Sequence, residues 1–121
     1  MRTIIAGSRN ITDYNILLSA MGKAKEVGII PTVIISGTAC GVDKMGERWG
    51  RENDIPIEKY PADWEYYGKS AGYKRNEQMA ENADALIAIW DGKSRGTKHM
   101  IDIADNKGLE ISILKKGQWD G

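Results

Sequence analysis

Val33-Ile34-Ile35-Ser36-Gly37-Thr38-Ala39-Cys40-Gly41-Val42-Asp43 opens as a β-branched run, passes through small residues and glycines, and then takes up a helical pattern. A strand that feeds a helix through a glycine-rich turn is the mark of a parallel βαβ unit. The same design stands upstream, where Thr3 to Ala6 is a short apolar strand that ends at Gly7-Ser8. Between the two, Ile16, Leu17, Ala20, Met21, Ala24 and Val27 recur at helical spacing. Thr12 or Asp13 can cap that helix and Gly28 can stop it.

Downstream, Val42, Met45 and Trp49 fall at i, i+3 and i+7, which predicts a helix to about Asn53, halted by Pro56. Ile55, Ile57 and Tyr60 alternate with polar residues, as an edge strand does. Pro61 to Lys69 reads as an aromatic-rich loop, and Ser70 as the cap of a helix from Ala71 to about Asn82. Ala85 to Trp90 is apolar at every position, so it belongs at the centre of the sheet, covered on both faces. A helix from about Thr97 to Asn106 and a strand with Ile111, Ile113 and Leu114 complete five strands and four helices. Right-handed crossovers make this a Rossmann-like, doubly wound α/β fold: a five-stranded parallel sheet of order 3-2-1-4-5 with helices on both faces. Residues 1–121 read as a single domain in which 115–121 form a polar tail.

Composition narrows the partners. Lys plus Arg and Asp plus Glu each number 17, so no net field draws the chain to nucleic acid or anionic lipid, and any anion must be held by local geometry. Hydrophobic residues at 41% and charged residues at 28% describe a globular chain rather than a disordered one. The run from Ala85 to Trp90 is too short to cross a bilayer. Cys40 has no partner for a disulfide and the chain begins without a signal-peptide pattern, which together point to the cytoplasm. One histidine and one cysteine cannot supply the usual zinc ligands, so neither metal nor cofactor is expected. The same scarcity argues against nucleophilic catalysis by Cys40 with His99.

In such sheets ligands sit beyond the carboxyl ends of the strands, where the strand order reverses. That rule selects Gly7, Ser8 and Arg9; Ser36, Gly37, Ala39, Gly41, Val42 and Asp43; and Asp91, Gly92, Ser94, Gly96 and Thr97. Two glycine-bearing loops that each run into a helix offer backbone N–H groups and partial positive charge to a phosphate. The plain alternative for the first is a tight turn needing positive φ at Gly37 and Gly41. Arg9 and Arg75 are the cations expected to face the crevice, each able to grip a phosphate with a planar fork. Trp64 or Tyr67 can stack on a base, although packing against the following helix is the favoured role for Trp64. Asp91 and Asp43 are the candidates for an acid or base, with stabilisation of the first helical turn favoured for Asp43.

Taken in order, Gly7-Ser8-Arg9, Ser36-Gly37-x-Ala39-x-Gly41-Val42-Asp43, Pro61-Ala62-Asp63-Trp64, Ala71-Gly72-x-x-Arg75-Asn76-x-x-Met79 and Ala83 through Gly92-x-Ser94-x-Gly96-Thr97 resemble the SLOG superfamily. The resemblance is to its YpsA-related branch of bacteria and phages, and runs from about Met1 to Leu114. The superfamily also holds the LOG-type phosphoribohydrolases, DprA and nucleotide-sensing domains. It implies a site for a nucleotide or nucleotide-derived sugar, with Asn76 beside Arg75 in it. LOG-type enzymes carry a catalytic glutamate in Pro-Gly-Gly-x-Gly-Thr-x-x-Glu; here that place is Met100, and the upstream Arg-Lys pair is Arg75-Asn76. The expectation is therefore a module that senses, carries or sequesters a phosphate-bearing nucleotide or nucleotide sugar. An N-glycosidase acting on a nucleoside monophosphate or ADP-ribose derivative comes second, and DprA-like nucleic-acid binding third, because no basic run is present. A homodimer is expected, partly because Trp119 in the tail wants a partner surface.

Overall fold

A computed structural model of the chain describes residues 1–117, so Trp119 and the suggestion that it seeks a partner lie outside the described residues. The strands are β1 (Arg2–Gly7), β2 (Val33–Ser36), β3 (Ile57–Lys59), β4 (Ala85–Trp90) and β5 (Glu110–Lys115). The helices are α1 (Tyr14–Glu26), α2 (Val42–Glu52), α3 (Trp64–Tyr67), α4 (Ala71–Glu81) and α5 (Arg95–Asn106), with a short 3₁₀ turn at Gly68–Ser70. All strand pairs are parallel, in the order β3-β2-β1-β4-β5. β1 and β4 share the longest inner ladder, from Thr3 opposite Ala85 to Gly7 opposite Ile89.

The sheet separates two apolar layers because successive strand residues face opposite ways. Ile5, Ile34, Ile87 and Ile89 pack with Leu17 and Met21 of α1 and Met45 of α2. Ile4, Ile35, Leu86 and Ala88 pack on the other side with Met79 of α4 and Met100 and Ala104 of α5. The isoleucines of the three central strands, Ile4, Ile5, Ile34, Ile35, Ile87 and Ile89, are buried. Each contributes roughly 1.5–3 kcal/mol by leaving water, so the strand pattern dominates the choice of fold.

Local signals end the elements where the chemistry requires. The Asp13 side chain, rather than Thr12, caps α1 by accepting from the Asn15 N–H at 2.9 Å. Gly28 takes φ +89° just beyond that helix. Lys23 then donates to the Ile113 carbonyl at 2.6 Å, tying α1 to β5.

Three expectations need correction. The segment 61–69 is not all loop: the Asp63 side chain accepts from the Tyr66 N–H at 3.0 Å and nucleates the single turn of α3. Ser70 does stand at the N-cap of α4, but its side chain caps no amide, because its hydroxyl donates to the Tyr67 carbonyl at 2.9 Å. Positive φ falls on Gly41 (+78°) and Thr38 (+65°), not on Gly37.

Helix α2 lies tight against β1 at Gly46, where an added Cβ would stand 2.8 Å from Ile5 Cγ2 and 2.9 Å from Ile5 Cβ. Overpacking against an immobile strand costs up to about 3 kcal/mol, which outweighs the roughly 1 kcal/mol that alanine gains in a helix. Gly46→Ala is therefore expected to lower stability by about 2 kcal/mol, read as a lower urea midpoint at unchanged m-value. An unchanged midpoint would show that the helix can lift from the strand without cost.

Candidate functional site

The carboxyl ends of β1, β2 and β4 open on a cleft of about 490 Å³ on the side of the sheet covered by α4 and α5. Three loops are drawn together there. The Ser8 N–H donates to the Ile89 carbonyl at 3.1 Å, and the Ser8 hydroxyl accepts from the Asp91 N–H at 3.1 Å, so the loops after β1 and β4 are joined. A side chain at Gly7 would reach within 2.2 Å of the Ile89 carbonyl oxygen and 2.7 Å of Val42 Cγ2. One at Gly41 would stand 2.5 Å from the Arg9 carbonyl oxygen. The bare backbone at these two positions is what lets the loops meet.

Of the residues expected at the site, Gly7, Ser8, Arg9 and Ala39 line the cleft on the β1 and β2 side. Asp43, Trp64, Arg75 and Asn76 line it together with Asp91, Ser94, Gly96 and Thr97. Ser36, Gly37, Gly41, Val42 and Gly92 are not on its wall and act from beneath. Gly37 leaves room for two groups, since its Cβ would lie 2.8 Å from both Arg75 Nη1 and Asp43 Oδ2. Gly92 makes a turn at φ +85°. Tyr67 is not drawn in and packs edge-to-face on Tyr66, whereas Trp64 stands 53% exposed on the rim beside Gly72. Met100 is buried and forms part of the floor with Met79.

The loop amides are not the open cradle that the glycine pattern suggests. The Thr38 N–H donates to Ser36 Oγ at 3.1 Å and the Ala39 N–H to Asp43 Oδ2 at 3.2 Å. In the other loop the N–H groups of Lys93 and Ser94 both donate to Asp91 Oδ1 at 2.8 Å, and the Thr97 N–H to Ser94 Oγ at 3.4 Å. The chain's own oxygens occupy these donors. Arg9 is exposed and lines the cleft, as does Lys69. Arg75 is half-buried, donating to the Gly37 carbonyl and, through Nε, to Asn76 Oδ1 at 3.2 Å. Asn76 in turn donates to the Gly96 carbonyl at 3.2 Å and meets His99 Nδ1 at 3.2 Å, and the His99 ring packs on Tyr73.

Burial pushes the Asp43 carboxyl up to about 6, against the pull of the Ala39 amide and of Arg75 and with a push from Glu47. The amides of Ser94 and Lys93 hold Asp91 below the ordinary carboxylate range. Burial lowers His99, against the pull of Glu77 and Asp102. Among the described residues no group of three His, Cys, Asp or Glu is arranged to hold a metal.

Four contributors escaped the sequence reading. Glu47 is 2% exposed, accepts from the Ser36 hydroxyl at 2.7 Å and lies 3.8 Å from both Lys44 and Lys59. Its spacing of four from Asp43, which puts both carboxylates on one helix face, was the available signal. Asn10, Lys69 and Tyr73 also line the wall. Lys69 and Tyr73 are brought there by the turn at α3 and the start of α4.

Comparison with known proteins agrees with this architecture. A match to the YspA, cpYpsA-related SLOG family spans residues 1–67. The Gene 61 protein of Mycobacterium phage D29 is 32% identical over 116 residues, covering 91% of this chain and 93% of that protein. An arginine–tRNA ligase of Novosphingobium aromaticivorans is 37% identical over 57 residues, 47% of this chain but 10% of the ligase. Among solved structures, the DNA processing protein A (DprA) of Streptococcus pneumoniae superposes with a TM-score of 0.69 at 16% identity. That likeness, which is one of fold, covers 93% of this chain and 49% of DprA.

A buried acid whose folded value is raised holds its proton more tightly when folded, so its contribution to stability is complete below the unfolded value of 3.8 and is lost as pH rises through about 6. Asp43→Asn is therefore expected to gain on the native protein between about pH 4 and about pH 7.5, by on the order of 2 kcal/mol. Urea midpoints of both proteins at the two pH values measure this. Equal differences at both would show that Asp43 ionises without penalty.

Proposed function

We propose, for a chain that belongs to the YspA, cpYpsA-related SLOG family, that the cleft binds a phosphate-bearing nucleotide or nucleotide sugar and that the protein senses, carries or sequesters it. The observation that carries this reading is the combination of Arg9, Lys69 and Arg75 with the aromatic rings of Trp64 and Tyr73 in one cleft of about 490 Å³. That volume lies within the range of small-ligand sites. The cations would take the phosphate, Arg75 with its fork already steered by Gly37 and Asn76. Trp64, half exposed, offers a face to a base, and Met79 and Met100 offer an apolar floor.

Cleavage of an N-glycosidic bond is the second reading, and Asp43 is the residue that favours it, being a cleft carboxyl raised to about 6. It ranks second because Met100 stands where the resemblance to LOG-type enzymes would put a glutamate. Nucleic-acid binding ranks third: DprA is a DNA processing protein by name, but the chain is balanced at 17 basic and 17 acidic residues. Among the described residues no helix is long and apolar enough to cross a membrane. We place the protein in the cytoplasm, where the exposed Cys40 thiol stays reduced, and as a homodimer, to be checked by sedimentation.

Calorimetric titration with AMP and ADP tests the binding reading. A hydrogen bond to a charged group is worth about 1.5–3 kcal/mol, so Arg9→Ala should weaken binding by roughly tenfold to a hundredfold. Because Arg9 is exposed, the unfolding midpoint should stay put. Failure of every nucleoside phosphate to bind, or equal affinity for Arg9→Ala, would contradict it.

A further inference from the structure

Two groups of opposite charge share one corner of the cleft. Asp43 Oδ2 and Arg75 Nη1 each stand 2.8 Å from the point where a Cβ on Gly37 would lie, so the bare backbone there admits both to the same space. Carboxylate and guanidinium are thus within about 6 Å of one another, near enough for each to shift the other's ionisation. Both line the cleft.

Both are also tied to the backbone. Asp43 is 6% exposed and accepts from the Ala39 N–H at 3.2 Å through that same Oδ2. Arg75 donates from Nη1 to the Gly37 carbonyl and from Nε to Asn76. Its Nη2 lies toward Gly72 of the cleft wall, 3.8 Å from where a Cβ there would stand. An anion that binds this guanidinium from the cleft settles beside the Asp43 carboxyl.

The charges on the surrounding elements pull in both directions. Glu47, one turn along α2, opposes ionisation of Asp43, whereas Arg75 of α4 and the Ala39 and Gly7 amides favour it. Arg9, in the loop after β1, acts on Arg75, and Lys69 and Asp91 share the cleft wall. Burial outweighs the favourable influences and sets the Asp43 carboxyl at about 6. It therefore changes charge between about pH 5 and about pH 7.

We infer that Asp43 gates the cleft: its ionised carboxylate competes with an incoming anion for Arg75, and taking up a proton releases the guanidinium to the ligand. This rests on the nucleotide reading of the cleft and adds the regulation of that site. Above about pH 7 the carboxylate pairs with Arg75 and repels a phosphate; below about pH 5 it is neutral and does neither. Linkage makes the effect reciprocal, since a bound anion favours the protonated acid and binding takes up a proton. Two unit charges about 6 Å apart at an effective dielectric constant near 20 correspond to roughly a hundredfold in affinity, which screening by solvent in an open cleft reduces to about tenfold.

The test is calorimetric titration of the full chain with the methyl ester of AMP, a phosphodiester without the phosphate ionisation near pH 6, so that its charge is the same at about pH 5 and about pH 8. The native protein should bind it about tenfold more tightly at the lower pH. In buffers of different ionisation heat near pH 6.5, binding should take up roughly half a proton per ligand. Asp43→Asn keeps an oxygen for the Ala39 amide but carries no charge, and should bind at both pH values as the native protein does at the lower one. His99 lies behind Asn76 and has its own lowered pKa, so His99→Gln should retain the pH step whatever its absolute affinity. A step that survives Asp43→Asn, a step lost in His99→Gln, or binding without proton uptake would overturn the gate. Arg9-dependent binding alongside any of these results would leave the nucleotide cleft standing. If the ester binds neither protein at either pH, both readings fall.

Discussion

Two positions without side chains, Gly7 and Gly41, let three loops meet at the carboxyl edge of the sheet. At Gly7 the backbone passes so near the Ile89 carbonyl and Val42 that no Cβ fits, and at Gly41 it passes equally near the Arg9 carbonyl in a left-handed conformation. The Ser8 hydroxyl then latches the loop after β1 to the Asp91 amide after β4. Because β2 and β4 flank β1 on opposite sides, this closure happens where the strand order reverses and the helices diverge to opposite faces. The cleft follows from that divergence, and the residues around it are held by the loops' contact with one another.

Within the cleft the decisive electrostatic fact is that carboxylates of the chain already satisfy loop amides. Asp43 and Asp91 accept from Ala39, Lys93 and Ser94, so these turn amides are satisfied from within the chain. The Arg75 guanidinium is held by the Gly37 carbonyl and by Asn76 and lies near the Asp43 carboxylate. Burial lowers the Arg75 pKa, and the Asp43 carboxylate opposes that shift. Glu47 supports the same loop from below by holding Ser36, whose oxygen in turn accepts from Thr38.

The strand order and the location of the cleft were legible because they depend on apolar periodicity and on glycine placement, both visible in one dimension. Val33–Ile35 and Ala85–Trp90 could hardly be anything but buried strands, and Gly41 announced a turn. The family was legible from motif order, and the match over residues 1–67 bears it out. What escaped depends on side chains that meet across the fold. No local pattern reveals that Asp43 and Asp91 turn back on their own loops, or that Glu47, a charged residue, is sealed beneath Ser36 on the buried face of α2. The turn of α3 escaped because four residues after a proline carry too little periodicity to register, while a single Asp63 cap suffices to form it. Lys69 and Tyr73 were missed with it, since that turn sets where they point.

We propose that side chains rather than loop amides hold the anion, and chemical-shift mapping of the isotopically labelled protein during titration with ADP reads this out. Large shifts are expected at the Arg75 Nε–H, the Arg9 side chain and the Trp64 indole, with the amides of Thr38, Ala39, Lys93 and Ser94 little changed. Large shifts at those four amides with silent arginines, or no response anywhere in the cleft, would contradict it.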